Sequence, residues 1–305
     1  MKKWIWIIFA VIFLAAVLAV MGFLMTGSMD SSNGRGWSQA SMPQWLELPG
    51  SERDGAEYRL THYAQMGGRQ QRNYTVLYDA DTYTSYWVAY PLCRDHITTG
   101  RDEVWGYDPK VKNQDQTSVA KGYGASHPTA NYPKNFYARG HQIPNADRNA
   151  VPHMQKQTYY STNITPQIQH GFNAGIWKNL EAAVRSAIPY GDTLYVVTGA
   201  SFRKRNENLT AKQIVNENDG KSIPVPNYYW KVLLKVRRKG GRVVEAATIG
   251  FWLPHDDLKG HDYEDYAVSV NQIEAWTGYD MFVNLTDQLE NQAEACSDWY
   301  AFRIF

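Results

Sequence analysis

Apolar and polar positions arrange themselves into five strand-like stretches, at 74–78, 85–90, 193–198, 228–236 and 243–251. Aromatic and β-branched residues dominate these stretches, which suits a pleated surface that packs on a core. Gly240-Gly241 separates the last two and accepts the positive φ angles of a tight hairpin turn. A different period appears at Phe172, Ile176, Leu180 and Val184, which recur every four residues. They predict a helix over 173–187 with Pro189 beyond its end. Shorter helices are predicted at 270–277 and 286–295. Strands separated by long irregular stretches, with few helices, predict an α+β fold around a mainly antiparallel sheet. Residues 92–136 show little periodicity, and so long a loop inside a folded domain is usually functional.

The amino terminus follows neither period. Lys2 and Lys3 precede an almost unbroken apolar run over 4–25, long enough for a helix to cross about 30 Å of hydrocarbon. It reads as a transmembrane anchor or as a signal peptide, with Val17-Leu18-Ala19 offering small-residue cleavage chemistry. Either reading leaves the lysines cytoplasmic and the remainder extracytoplasmic. The expected organisation is a signal or anchor over 1–27, a Ser- and Gly-rich tether over 28–52 and one domain over 53–305.

Composition narrows the classes. Charged residues are 20% and hydrophobic ones 44%, the balance of a globular chain. A net charge of +1 advertises no strongly basic surface. Two cysteines, Cys93 and Cys296, are too few for a disulfide scaffold or a thiolate zinc site, and leave a single bridge open. The local cluster Arg203-Lys204-Arg205 could contact phosphate, whereas Arg237-Arg238-Lys239 reads as solvated hairpin charge. His255, Asp256, Asp257, His261 and Asp262 fit no zinc spacing and read as a surface loop marked by Pro254 and Gly260.

Three segments carry candidate chemistry. In the first, His141 is the side chain most easily poised as a base near neutral pH, with Arg139 on the same face of a strand. The second is Asn163-Ile164-Thr165-Pro166-Gln167. In the third, Asn173, Trp177, Glu181 and Arg185 are spaced by four beside the core stripe. Asn173 and Glu181 would stand about 12 Å apart along a helix, too far to grip one small ion together. Side chains lean toward the helix N-terminus, so Glu181 could reach water around an ion that Asn173 holds. A neutral oxygen ligand leaves a hard cation its full charge, and Mg²⁺ needs few protein ligands. Taken singly, the row is a polar helix edge and His141 a structural histidine. Their combination is the signal.

That combination resembles a known family. Arg139-Gly140-His141-Gln142, then Asn163-Ile164-Thr165-Pro166-Gln167, then Asn173-x-Gly175-x-Trp177-x-x-Leu180-Glu181 resemble the DNA/RNA non-specific endonucleases, the ββα-metal family that includes endonuclease G-like enzymes. The likeness extends to Trp87-Val88-Ala89-Tyr90, Trp105-x-x-Asp108-Pro109, Thr198-Gly199, Ile223-Pro224, Tyr229-Trp230-Lys231, Ile273-Glu274 and Thr277-Gly278, covering about 58–285. It implies His141 on a strand as general base and Asn173 on the next helix as ligand of a single Mg²⁺, with Mn²⁺ able to substitute. Glu181 matches the acid that orders water around the ion. Arg139 and Arg185 match phosphate-binding positions, and Asn163 an active-site asparagine. The implied substrates are DNA and RNA without sequence specificity, cut to 5′-phosphate and 3′-hydroxyl ends. Two departures stand out: Ala138 occupies the usual aspartate position, and Glu103 a position where some relatives carry arginine, with Arg101 nearby. The rival readings are a nucleic-acid-binding or uptake protein on the same fold and a phosphodiesterase for small nucleotides.

Overall fold

Strands that are apolar on both faces need cover on both sides, and the sheet is built that way. The computed structural model describes residues 44–50, 57–123, 136–216 and 218–305. All of them fall in one unit, 36–305. The apolar run over 4–25 lies outside the described residues. No helix among those described is long and apolar enough to cross a membrane.

The central sheet has seven strands, all paired antiparallel, in the order β1-β2-β3-β6-β9-β10-β11. These are β1 (Glu57–Met66), β2 (Arg69–Asp79), β3 (Thr84–Leu92), β6 (Leu194–Ser201), β9 (Tyr228–Lys239), β10 (Arg242–Pro254) and β11 (Ala267–Val268). Two hairpins stand apart, β4 (Tyr137–His141) with β5 (Ile164–Ile168) and β7 (Lys212–Val215) with β8 (Ser222–Val225). All five predicted strands fall within the central sheet. Gly240 and Gly241 take φ of 58° and 79°, the turn predicted between β9 and β10. β1 was not anticipated, although Gly67 and Gly68 make an equivalent turn before β2.

Side chains alternate along each strand, so each face has its own core. On one face Tyr74, Val76, Val88, Tyr90, Val196, Tyr229, Leu233 and Phe251 pack beneath the β4–β5 hairpin and the helix that follows it. On the other, Trp87, Val197, Trp230, Val232, Leu234 and Trp252 pack against Ile273, Met281 and Phe282. Gly199 is required between two tryptophans, because a Cβ there would lie 2.2 Å from the Trp230 ring.

The helices are short: α1 (Pro152–Gln157), α2 (Lys178–Ser186), α3 (Val270–Thr277), α4 (Asp287–Ala293) and α5 (Trp299–Ile304). α3 has the bounds read from the sequence. Ser269 caps its start by accepting from the Gln272 N–H, and Gly278 ends it at φ 78°. The helix predicted over 173–187 is corrected. Regular α geometry begins only at Lys178, after a π-type turn over Gln169–Trp177 broken by non-helical Gly171 and Gly175. Gly171 sits at φ 79°, where a Cβ would also strike the Asp257 carboxylate. The core stripe survives the kink, with Phe172, Ile176, Leu180 and Val184 all buried.

The tether expected over 28–52 also ends early. Leu48 is fully enclosed in the second core, Glu47 pairs with Arg72, and Gly50 bridges Asp280. An apolar residue six positions after Ser41-Met42 gives little local signal, since its partners lie across the fold.

Candidate active site

The β4–β5 hairpin carries the reactive candidates. Arg139 pairs with Pro166 and His141 with Ile164, so both project from the same side of β4. Gly140 between them is obligatory, because a Cβ would lie 2.3 Å from the Gln167 side chain. The hairpin is pinned to the sheet by Tyr229, whose hydroxyl donates to the Pro166 carbonyl at 2.7 Å. His255 pins it from the other side, its Nε2 accepting from the Ile168 N–H at 2.8 Å and its Nδ1 meeting the Pro226 carbonyl. The surface-loop reading of His255 is therefore corrected: this histidine is a brace, packed edge-on against Phe172 and Tyr229.

Beside the hairpin lies a cleft of about 490 Å³, walled by Arg101, Trp105, Lys121–Tyr123, Tyr137–Arg139, Gln169, His170 and Asn173. Much of one wall comes from the aperiodic stretch after β3. Arg139 lies over the Trp105 ring, its Cζ 3.7 Å from the centroid, and donates to the Val119 and Ala120 carbonyls. Asn173 donates its Nδ2 to Gln169 at 3.1 Å. Asn173 also lines the cleft, and its Oδ1 accepts no hydrogen bond among the described residues. Ala138, at the position where an aspartate is usual, lines the same wall.

His141 adjoins this cleft through Trp105 and Tyr159, whose rings lie 5.3 and 5.2 Å away. Burial, helped by the charges of Arg101 and Arg139, pulls its imidazole down to about 3, so the ring is neutral near pH 7. A hydrogen bond to the Arg139 carbonyl opposes the shift and fixes one ring nitrogen as the donor. The other, Nε2, is buried with no hydrogen-bond partner. A buried acceptor without a partner is costly in a folded protein.

The remaining predicted residues occupy a second layer. Asn163 does not reach the cleft. It is wholly enclosed, donating to the Ile143 and Thr158 carbonyls and accepting from the Ile143 N–H, which fixes the turn after His141. Arg185 is held by Asp147 at 2.9 Å, and the Tyr90 hydroxyl donates to the same carboxylate. Burial pushes the Glu181 carboxyl above its usual range and Asp147 adds to this, whereas Lys231 and Arg185 oppose it. Next to Asp147, the fully buried Arg148 donates to the Asn73, Pro91 and Asp147 carbonyls, anchoring the segment after His141 to the sheet. Asp108 of the Trp105 motif is equally structural, accepting from Thr162 at 2.6 Å.

The structure thus brings Arg139 and Asn173 to one cleft, sets His141 behind Trp105, and groups Glu181 and Arg185 beneath α2. The sequence reading missed Gln169, Asp147 and Lys231 as parts of this assembly. Lys231 did leave a signal, being a cation among the apolar residues that open β9. Arg237 and Arg238 pair with Glu245 and Asp192 on the exposed hairpin, as read. A larger cavity of about 760 Å³ lies between the end of α2 and α5, and no predicted site residue lines it.

The chain is similar to known nucleases. The chain is 29% identical over 219 residues to a nuclease of Serratia marcescens, spanning 71% of this chain and 75% of the relative. It is 26% identical over 246 residues to the mitochondrial nuclease EXOG of Xenopus laevis, spanning 80% of this chain and 66% of the relative. In fold it resembles EndoG from the crystal structure of the EndoG/EndoGI complex, with a TM-score of 0.56 over 75% of this chain and 89% of the other, at 19% identity. The family model for DNA/RNA non-specific endonucleases matches residues 56–288, so the chain belongs to that family of nucleases.

Proposed function

We propose that this nuclease is a Mg²⁺-dependent, sugar-non-specific endonuclease of DNA and RNA, working outside the cytoplasm, with His141 as its general base. The observation that supports the reading is the unpartnered Nε2 of a neutral His141 beside a cleft that Asn173 lines. The donor set suits a hard cation held largely by water and phosphate, since Asn173 supplies a single neutral oxygen and no group of three His, Cys, Asp or Glu suited to a metal occurs among the described residues. When bound, the ion would neutralise the charge that develops on the phosphate and the departing oxygen.

The chain's own residues supply the rest. Nε2 of His141 accepts a proton from water as that water's oxygen attacks phosphorus. The bond from phosphorus to the 3′ oxygen breaks. The 3′ oxygen takes a proton from solvent, and His141 returns its own to solvent, leaving a 5′-phosphate and a 3′-hydroxyl. Arg139, fixed by two carbonyls and the Trp105 face, offers positive charge to the phosphate. Arg185, fixed by Asp147, steadies the helix from which Glu181 orders water. Contacts to phosphate and sugar carry no base information, so little sequence preference is expected and affinity falls with salt.

The test is digestion of plasmid DNA and of RNA by the full chain. Both are degraded with Mg²⁺ and neither in EDTA, and His141→Ala loses about 10²- to 10⁴-fold in rate while still binding DNA. Binding with both polymers left intact in Mg²⁺ or Mn²⁺ would favour a binding protein. Cleavage of mononucleotide diesters alone would favour a small-nucleotide phosphodiesterase.

A further inference from the structure

The groove of about 760 Å³ between the end of α2 and α5 takes no part in the chemistry above. The three most exposed large apolar side chains among the described residues, Tyr190, Tyr300 and Ile304, at 97%, 69% and 67%, all line it. Single exposed apolar residues are ordinary, whereas three converging on one concave surface mark a binding site. Neither tyrosine side chain makes a hydrogen bond or ring contact among the described residues. Charge on the groove is also one-sided: Lys235, Arg237, Arg238 and Arg303 line it against one carboxylate side chain, Asp192. Arg237 is engaged by Glu245 and the Phe305 carbonyl, and Arg238 by Asp192. Lys235 is buried and donates to the Phe302 and Arg303 carbonyls, which ties the last turn of α5 to β9 as a fixed floor. Arg303 is exposed and has no ion pair among the described residues.

Groove and cleft lie at opposite ends of α2. The turn before the helix supplies Gln169, His170 and Asn173 to the cleft, and Ser186 with the residues after it supplies the groove. Both are on one face of the sheet, since Ala187, Ile188, Trp299 and Phe302 belong to the core beneath the β4–β5 hairpin. α2 has nine residues. At about 1.5 Å each it spans about 14 Å. One strand of stacked nucleic acid advances about 3.4 Å per nucleotide, so about four nucleotides bridge the two. Each nucleotide offers a flat base and a phosphate, the groups that the tyrosine rings and Arg303 match. A bilayer surface instead meets a protruding apolar face, and here the rings flank a concavity.

We propose that this groove is a second subsite for single-stranded nucleic acid, where Tyr190 and Tyr300 stack on bases and Arg303 meets a phosphate. The proposal rests on the nuclease reading for its consequence, but its first test needs no cleavage. Binding of a fluorescein-labelled DNA 20-mer to the full chain is followed by anisotropy in EDTA. Tyr190→Ala and Tyr300→Ala each weaken it about fivefold or more, whereas Tyr190→Phe, which keeps the ring, does not. Arg303→Gln also weakens it and lowers the slope of log affinity against log salt by about 0.7, which neither tyrosine variant does. These side chains are exposed, so the variants fold. Activity in Mg²⁺ gives the second arm. The double variant Tyr190→Ala, Tyr300→Ala raises KM about tenfold on the 20-mer and leaves kcat unchanged. It changes neither constant on a pentanucleotide, which is too short to reach from cleft to groove. Unchanged 20-mer affinity in both alanine variants, or an equal loss on the pentanucleotide, overturns the proposal. Weaker binding to phosphatidylglycerol vesicles with 20-mer affinity intact would also overturn it, and make the face a membrane contact. A wild type that cuts no polymer yet binds the 20-mer through these residues would keep the groove and sink the nuclease reading.

Discussion

The two faces of the sheet surround their buried carboxyl groups with different neighbours. On the face away from the cleft, Glu274, Glu290 and Glu294 gather where α3 and α4 meet. Burial, with each other's charge and that of Asp280, pushes them up to about 6, 7 and 9. No basic side chain appears among the causes, and Oε1 of Glu290 and of Glu294 has no hydrogen-bond partner. Beneath α2, Glu181 suffers the same burial, yet Lys231 and Arg185 stand against it and Asp147 is paired outright. Burial alone makes a carboxyl neutral. Cations beside Glu181 oppose that shift without cancelling it, and its carboxyl still stands at about 7, level with Glu290.

Neutralising Glu181 breaks this contrast most severely. Glu181→Gln keeps the shape and removes the anion, and we expect kcat/KM to fall about 10²-fold or more at pH 8 with little change in thermal unfolding. The acidic limb of the wild-type profile should vanish with it, because His141, already neutral above about pH 5, contributes none there. A variant that keeps that limb would show that another group sets it.

The matching change on the other face should leave the rate alone and alter stability with pH. A carboxyl with a raised folded value stabilises fully below its unfolded value near 4.5, and that stability is lost as pH rises through the folded value. For Glu294 the loss runs from about pH 4.5 to about 9. Glu294→Gln therefore gains on the order of a few kcal/mol over wild type at pH 9 and nothing at pH 4, read by thermal unfolding; solvent near the carboxyl keeps the gain below the full shift at about 1.4 kcal/mol per unit. Equal stability of the two proteins at pH 9 would place Glu294 in water.

Much of this architecture was legible in the chain, and the division is physical. Aromatic and β-branched runs located β2, β3, β6, β9 and β10, because a sheet covered on both faces buries consecutive residues. Ser269 and Gly278 fixed the ends of α3 through local capping. Arg139-Gly140-His141 was legible as a motif, and the side chain of Gln167 explains why its middle residue has none. What escaped depends on contacts distant in sequence. Gly171 and Gly175 break the helix at Asn173, an effect invisible in a stripe that stays buried throughout. Asn163 reads as a reactive asparagine until its three backbone partners are seen. The burial of Lys231 and the docking of Leu48 are likewise set by elements far along the chain.

A third carboxyl completes the comparison. Glu245 lies on the exposed end of the β9–β10 hairpin, 54% accessible, with the Arg237 guanidinium 2.7 Å away. It has a closer cation than Glu181, but water already solvates both partners, so the pair gains little and loses side-chain entropy. Glu245→Gln should change unfolding free energy by less than about 1 kcal/mol at low salt, and by nothing measurable at 1 M salt, where screening is nearly complete. Activity should not change. A larger loss that persists at high salt would mean that closeness of a cation, rather than exclusion of water around it, decides what such a pair is worth. The contrast between the two faces would then need a different cause.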